Sequence, residues 1–184
     1  QDTTDIQCYD PVTRTMKKFH RQKLGESLGP NSFPISPPVK LLEDRTGAKW
    51  FIGGNVLSVY DTTRNRFRHF TIREHKLVKD PESVDYYGIS ISAVTKDQDG
   101  LFWLCKERDG LFRFDPLTLE LRGFFHDESD STSLSTNNAL SMAEDPAEPS
   151  RFLWIGTDGG GLNKFEKSTG RCVRFSTRDG LPNN

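Results

Sequence analysis

The sequence predicts an all-β fold, a β-propeller arc built from four-stranded antiparallel blades. Three observations support this prediction: regularly spaced tryptophans, a repeated pair of aromatics, and short strands separated by turn signals. Trp50, Trp103 and Trp154 are the only tryptophans of the 184-residue chain and lie 53 and 51 residues apart. Each follows an acidic, turn-rich stretch and leads into a short apolar segment. A period of about 50 residues with several short strands is typical of propeller blades.

The second observation is a pair of aromatic residues at one fixed spacing. Tyr9, Tyr60, Phe114 and Phe165 each precede a second aromatic by ten residues and are each followed directly by an acidic residue. The second aromatics are Phe19, Phe70, Phe124 and Phe175. Four occurrences of this spacing indicate four copies of one structural unit.

The middle unit shows where the strands fall. We predict strands at about Ile89 to Thr95, Leu101 to Cys105, Leu111 to Phe114 and Leu121 to Phe125. Turns rich in Asp, Gly and Pro separate them, since these residues favour tight chain reversal. The tryptophan then lies on the second strand, and we expect it to pack between neighbouring blades, because a lone blade has two faces to cover.

The repeat also divides the chain. Residues 1–35 correspond to the last two strands of a partial blade plus a linker, and residues 36–75 to a blade. Residues 76–130 form a blade with a long preceding linker, and residues 131–184 a further blade. About three and a half blades would leave apolar faces at the ends of the arc. We therefore expect a fragment of a larger propeller that associates with the rest of that propeller or with itself.

Composition excludes several functions. The 25 Lys and Arg residues and 26 Asp and Glu residues are interspersed, which disfavours nucleic-acid binding. No apolar run approaches the roughly 20 residues of a membrane span. Cys8, Cys105 and Cys172 lack the close spacing of zinc ligands and are expected to be free, buried thiols. We expect no metal, no cofactor and no catalytic residues.

Candidate ligand-binding residues lie in the irregular loops. The loop between the second and third strands and the linker between blades fall on one propeller face, and such loops carry ligand contacts on rigid scaffolds. Tyr86 and Tyr87, the only adjacent tyrosines, would form an aromatic platform. The polar candidates near them are Arg108, Asp109, Asn137, Asn138 and Asp158. The alternative is that these are ordinary surface loops in which Asn137 and Asn138 shape a turn.

Two other features receive structural interpretations. The glycine run from Asp158 to Leu162 precedes a predicted strand rather than a helix, so a tight turn is favoured over a phosphate-binding loop. His69, beside the repeat aromatic Phe70, is expected to point out of its strand.

The units resemble the two-component regulator propeller repeat. That repeat combines an Asp-rich turn, a Trp strand, a glycine-rich turn and a later aromatic, and the resemblance spans essentially the whole chain. It is clearest in "FLWIGTDGGGLNKF" and "KDQDGLFWLCKERDGLFRF". The matching positions are Asp97, Gly100, Trp103, Gly110, Leu111, Phe114, the stretch from Trp154 to Leu162, and Phe165. The chain departs from the pattern at Leu104 to Lys106 and in the insertion "PAEPSRF".

The resemblance implies a sensor. Such propellers form the extracytoplasmic, periplasmic part of membrane-spanning histidine kinases and hybrid regulators, and many bind breakdown products of polysaccharides. Its implied partners are an oligosaccharide or other small ligand and the downstream sensor domains, and it implies no enzymatic activity. Two alternatives stay open: a structural or protein-interaction propeller without a small ligand, and a carbohydrate-active propeller enzyme.

Overall fold

A computed structural model describes residues 6–10, 14–21, 32–33, 40–64, 66–79 and 90–183. The described residues form sixteen strands in four sheets, together with one short 3-10 turn at Thr177–Asp179. The predicted all-β architecture is therefore confirmed. The first sheet contains β1 (Ile6–Asp10), β2 (Thr15–Arg21) and the short β3 (Ser32–Phe33), which pairs with β2 in parallel.

Three larger antiparallel sheets follow, and we call them blades 1, 2 and 3. Their strands are β4 (Lys40–Glu43), β5 (Lys49–Gly53), β6 (Val56–Asp61), β7 (Arg66–Arg73) and β8 (Lys76–Lys79) in blade 1; β9 (Ile91–Lys96), β10 (Phe102–Lys106), β11 (Gly110–Phe114) and β12 (Leu121–Phe124) in blade 2; and β13 (Ala139–Glu144), β14 (Phe152–Thr157), β15 (Gly161–Glu166) and β16 (Cys172–Phe175) in blade 3. The four predicted strands of the middle unit all exist, with ends shifted by at most two residues.

Blade 1 has a fifth strand that the sequence pattern does not predict. β7 is eight residues long, pairs with β6 as far as Thr71, and pairs with β8 from Phe70 onward. The β7–β8 turn places Glu74 and His75 at φ values of 47° and 60°. Two positive φ values in succession are what a two-residue hairpin turn requires. The sheet thus continues past residue 75, where the sequence predicts the unit to end.

Aromatic side chains fill the junctions between blades. Trp50 of blade 1 contacts Phe102 and Phe114 of blade 2, with ring centroids 5.9 and 5.2 Å apart. Trp103 of blade 2 contacts Phe165 of blade 3 at 5.5 Å. Trp50 and Trp103 are both almost completely buried. The prediction that the repeat tryptophan packs between blades is confirmed for these two junctions, which supply the main core of the described chain.

In each blade, an aspartate in the turn between the first two strands accepts a hydrogen bond from the tryptophan, and we call this pair the Asp–Trp clasp. Trp50, Trp103 and Trp154 donate their indole N–H to Asp44, Asp97 and Asp145 at 2.9, 2.7 and 2.9 Å. The other oxygen of each carboxylate accepts backbone N–H groups of the same turn. The pair is six residues apart in blades 1 and 2 but nine apart in blade 3, where the insertion lies. The clasp therefore tolerates a longer turn.

The far side of blade 3 has no neighbouring blade among the described residues. Trp154 is only partly buried there and packs on Phe175 of its own blade at 5.6 Å. Val173, which lies two strands away on the same face, is 59% exposed. The same face of blades 1 and 2 is covered by the next blade.

The prediction that His69 points outward is wrong. His69 is buried, and its Nδ1 lies 2.9 Å from the Ser58 hydroxyl. Its ring stacks on Phe67 on the face of blade 1 that is turned away from blade 2. Phe51 and Tyr60 also pack around Phe67, so the residue that alternates with the core aromatic Phe70 is buried as well.

Candidate functional site

The candidate site is one side of the stacked blades, which we call the loop face. It carries the turns between the second and third strands at residues 107–109 and 158–160, the β7–β8 turn, and the linker 125–138. These segments lie on one side because antiparallel strands return the chain to the same end after every second strand. The opposite side carries the turns between the first and second strands and between the third and fourth strands of each blade, and we call it the turn face.

Three of the predicted residues form one hydrogen-bonded group, which we call the amide clamp. The Arg108 backbone N–H donates to Asn138 Oδ1 at 3.2 Å, and Asn138 Nδ2 donates to Asp158 Oδ2 at 3.0 Å. The Asp158 N–H donates to the Asn138 carbonyl at 2.9 Å. Asn138 thus links the turn of blade 2 to the turn of blade 3 through hydrogen bonds of its side-chain amide and its backbone carbonyl.

The clamp leaves two polar groups available. Arg108 has φ 56°, a conformation that is strained for a residue other than glycine, and its exposed guanidinium has no partner among the described residues. Asp158 is exposed and keeps its Oδ1 unengaged among these residues. Donors and an acceptor presented on the same face suit a ligand that carries hydroxyl groups, because each hydroxyl can both donate and accept.

Asp109 belongs to a second, charged group between blades 1 and 2. Its Oδ2 accepts from Lys106 Nζ at 2.6 Å, and its Oδ1 lies 3.0 Å from His75 Nε2. Lys106 is buried and also donates to the Ile72 carbonyl of blade 1 at 3.0 Å. The His75 ring packs on Phe125, with centroids 4.2 Å apart. This group, which we call the ionic latch, engages both Asp109 oxygens in the contact between the two blades.

Asn137 is directed at the backbone. Its carbonyl accepts from the Gly110 N–H at 2.9 Å, and its Oδ1 accepts from the His126 N–H at 2.7 Å. Gly110 has φ 94°, and a Cβ there would lie 2.6 Å from the Phe124 carbonyl oxygen, so the contact requires glycine. In the structure Asn137 shapes the linker, the alternative that the sequence left open for it.

Tyr86 and Tyr87 lie outside the described residues, so the aromatic platform stays a prediction. Sequence reasoning missed His75 and Lys106. One signal was available for Lys106, since it ends β10 where β5 ends at Gly53 and β14 at Thr157. A long cation in place of a small residue marks a position where the repeat has diverged.

The glycine run forms the β14–β15 turn, and β15 follows it directly, as the sequence predicts. Gly161 has φ 72°, and a Cβ there would lie 2.2 Å from the Phe175 carbonyl oxygen. No group of three His, Cys, Asp or Glu side chains suited to a metal ion occurs in the described part of the chain. Within that part, no helix has the length and apolar character needed to cross a bilayer.

Fold and site together define a β-propeller segment with a polar, pre-organised loop face. No protein-family model and no curated protein matches the sequence. Solved structures do share the fold. One is the extracellular domain assigned to the hybrid two component system BT3049 of B. thetaiotaomicron, with TM-score 0.65 and 20% identity over 88% of this chain. Another is the extracellular domain assigned to the hybrid two component system BT4673 of the same organism, with TM-score 0.51 and 18% identity over 92% of this chain.

This chain covers only 21% and 19% of those two structures, so it spans about a fifth of their length. At these identities the likeness establishes the propeller fold. It agrees with the fold that the repeat resemblance implies.

Proposed function

We propose that this chain is the ligand-sensing part of an extracytoplasmic two-component sensor and performs no chemistry itself. Two kinds of support exist. The fold is shared with extracellular domains assigned to hybrid two component systems. The loop face presents a clamp that joins two blades and leaves a cation and a carboxylate oxygen available.

The amide clamp is the observation that carries the proposal. A ligand that contacts Arg108 and Asp158 touches blades 2 and 3 at once, while Asn138 holds the backbone of both turns. Such a ligand stabilises one relative arrangement of the two blades, and a ligand shifts a conformational equilibrium through this kind of differential contact. A sensor requires no more than this from its binding domain.

Within this proposal the ligand is an oligosaccharide. The guanidinium of Arg108 supplies several donors in a planar fork, and the Asp158 carboxylate supplies an acceptor. Adjacent hydroxyls on a sugar ring match that pair. Tyr86 and Tyr87 would add an aromatic surface for the apolar face of a ring.

Isothermal titration calorimetry of the chain against a panel of neutral and acidic oligosaccharides tests the proposal. For a sugar that binds, we expect Arg108→Ala and Asp158→Asn each to weaken binding about tenfold or more, a loss of about 1.4 kcal/mol or more. Asp99→Asn is the matched control, since Asp99 is an exposed turn carboxylate on the turn face. Equal affinity of all variants, or no binding sugar in the panel, would contradict the proposal. An assay for new reducing ends in the same mixtures tests the absence of hydrolysis.

We further propose that the open face of blade 3 is covered by another blade of a larger protein. Trp154 and Val173 lie on the face that the next blade covers in blades 1 and 2. Without that cover, we expect the 184-residue chain to self-associate. Sedimentation velocity should show mass above the monomer, and Val173→Lys should reduce it. A purely monomeric wild-type chain at high concentration would contradict this part of the proposal.

A further inference from the structure

A cleft on the turn face lies between blades 1 and 2, away from the loop face. Its volume is about 290 Å³, and it opens beside the Asp44–Trp50 clasp. The corresponding clasps of blades 2 and 3 provide an internal comparison, because the same carboxylate and indole occur in all three. The comparison shows that the Asp44–Trp50 clasp has no counterpart to the lysine that lies beside each of the other two among the described residues.

Two of the three clasps have a lysine ammonium beside the carboxylate oxygen that accepts the indole. Lys164 Nζ lies 2.9 Å from Asp145 Oδ2. Lys167 Nζ, which is largely buried, lies 4.0 Å from Asp97 Oδ2. Asp44 Oδ2 accepts the Trp50 indole, yet no cation of the described residues lies within ion-pair distance of Asp44.

The cleft lies at the two positions of blades 1 and 2 that correspond to Lys164 and Lys167 of blade 3. Val59 faces Trp50 in the strand pairing, as Lys164 faces Trp154. Pro116 follows Asp115, the residue directly after β11, as Lys167 follows Glu166, which occupies the equivalent position in blade 3. Both Val59 and Pro116 line the cleft. A shorter side chain thus stands at each position that supplies an ammonium elsewhere.

Asp44 can hold an ammonium ion that comes from outside the chain. Burial raises the pKa of Asp44, but hydrogen bonds from Thr46 and Trp50 outweigh this effect and bring the pKa below its ordinary value. The carboxylate is therefore charged at neutral pH. Its Oδ1 accepts three hydrogen bonds from Thr46 and Ala48, whereas its Oδ2 accepts only one. An ionised carboxylate oxygen has room for a second donor.

The same cleft contains a cation that forms no ion pair with a carboxylate of the described residues. The Arg68 guanidinium lines it and packs over the Phe70 ring at 5.2 Å. Among the described residues no carboxylate forms an ion pair with Arg68. Asp61, which also lines the cleft, is engaged by Arg64 at 2.9 Å. The cleft therefore presents one negative and one positive group to a ligand.

The remaining wall is apolar. Pro116, Leu117 and Leu119 of blade 2 line it, and Leu117 is 44% exposed at the rim. A ligand that complements this lining carries an ammonium, a carboxylate and a small apolar group, and is small enough for a volume of about 290 Å³. A free amino acid has both charged groups on one carbon, whereas the terminal ammonium and carboxylate of a peptide are separated by its whole length.

We infer that this cleft binds a free aliphatic α-amino acid, with its ammonium on Asp44, its carboxylate on Arg68 and its side chain against Leu117 and Leu119. The site is independent of the loop face and of the proposed sugar ligand. It uses the Asp–Trp clasp of blade 1, whereas the clasps of blades 2 and 3 each have a lysine of blade 3 beside the carboxylate.

The three tryptophans allow a direct test by NMR. In ¹⁵N-labelled chain, L-leucine at about 10 mM, enough to saturate a site of about 1 mM affinity, should shift the Trp50 indole N–H. The shift arises because that N–H bonds to Asp44, and the Trp103 and Trp154 indoles serve as controls in the same spectrum. Isoamylamine and 4-methylpentanoate, which each lack one of the two charges, should bind at least tenfold more weakly.

Two variants separate the contributions. Arg68→Gln should weaken L-leucine at least tenfold, while Arg122→Gln, which removes the matching arginine over Phe124, should leave it unchanged. Val59→Lys should supply the missing ammonium and abolish binding without unfolding the chain, as judged by circular dichroism. Three results would overturn the inference: no saturable Trp50 shift, equal shifts of all three indoles, or full binding by Val59→Lys.

Discussion

The two junctions between blades share one aromatic core but differ at both of their polar edges. At the junction of blades 1 and 2, the loop face carries the ionic latch and the turn face carries a cleft. At the junction of blades 2 and 3, the loop face carries the amide clamp, and on the turn face Lys167 Nζ lies 4.0 Å from Asp97 Oδ2. The aromatic contacts of Trp50 and Trp103 are alike in geometry and burial.

The residues that stack the blades are therefore separate from the residues that make one junction chemically different from the other. The buried aromatics supply most of the burial energy in each junction, and their positions are constrained by packing. The polar residues at the two edges differ between the junctions, since Lys106 and Asp109 serve one loop face and Asn138 the other. Function can therefore differ from junction to junction while the blades remain stacked in the same way.

The largest loss of stability is expected from a substitution in the shared aromatic core. Trp103→Ala should lower the free energy of unfolding by about 3–5 kcal/mol, because it removes a fully buried side chain and an indole partner of Asp97. Trp154→Ala should cost only about 2 kcal/mol, because Trp154 is partly exposed on the open face. Urea unfolding followed by circular dichroism measures both. Equal losses would show that Trp154 is covered in solution.

An intermediate effect is expected from the ionic latch. Lys106→Met should cost about 1–3 kcal/mol, because it removes charge-assisted hydrogen bonds from a buried ammonium to Asp109 and to the Ile72 carbonyl. Lys96→Met is the matched control, since Lys96 also donates to a carbonyl of blade 1, that of Glu43, but is exposed. Its loss should stay below about 1 kcal/mol. If urea unfolding gives equal losses for the two variants, burial of the ionic latch adds nothing to the free energy of unfolding.

The smallest effect concerns the lysine that covers the third clasp. A hydrogen bond from Lys164 to the carboxylate of Asp145 is the largest cause that lowers the pKa of Asp145 to about 2. Because this pKa is depressed, the stabilisation is present above the ordinary pKa of about 3.9 and is lost as pH falls from there through about 2. Lys164→Met should raise the pKa of Asp145 and narrow that window.

A ¹³C NMR titration of the aspartate carboxyls measures this change. The lowered pKa of Asp130, which is set first by a hydrogen bond from Thr132, should stay the same in the variant and serves as the control. An unchanged pKa for Asp145 would show that Lys164 does not remain beside it in solution.

Local patterns made the blades predictable from the sequence. Turn residues and the Trp spacing located the strands of blade 2 within two residues, because each signal acts over a few positions. The burial of His69 was not predictable in this way, since alternation indicates exposure only when one face of a sheet meets water. β8 was missed because its turn uses Glu74 and His75 instead of a glycine.

The candidate site was predictable only in part. Topology alone places Arg108, Asn138 and Asp158 on one face, and the structure joins them directly. The partner of Asp109 was not predictable, because His75 is 34 residues away and belongs to another blade. The cleft beside Asp44 depends on two absent lysines, which become visible only when the blades are compared position by position.

The longer turn of blade 3 has a consequence for how such chains diversify. Its clasp keeps an indole-to-carboxylate distance of 2.9 Å although nine residues, not six, separate the partners. The Asp145 carboxylate binds the start of the turn at Ala147 and Glu148 and the strand after it at Trp154. A change in the number of residues between these points therefore does not move the stacked core. Insertions at this position can lengthen the turn face of one blade, including into a separate recognition loop, while the rest of the array keeps its spacing.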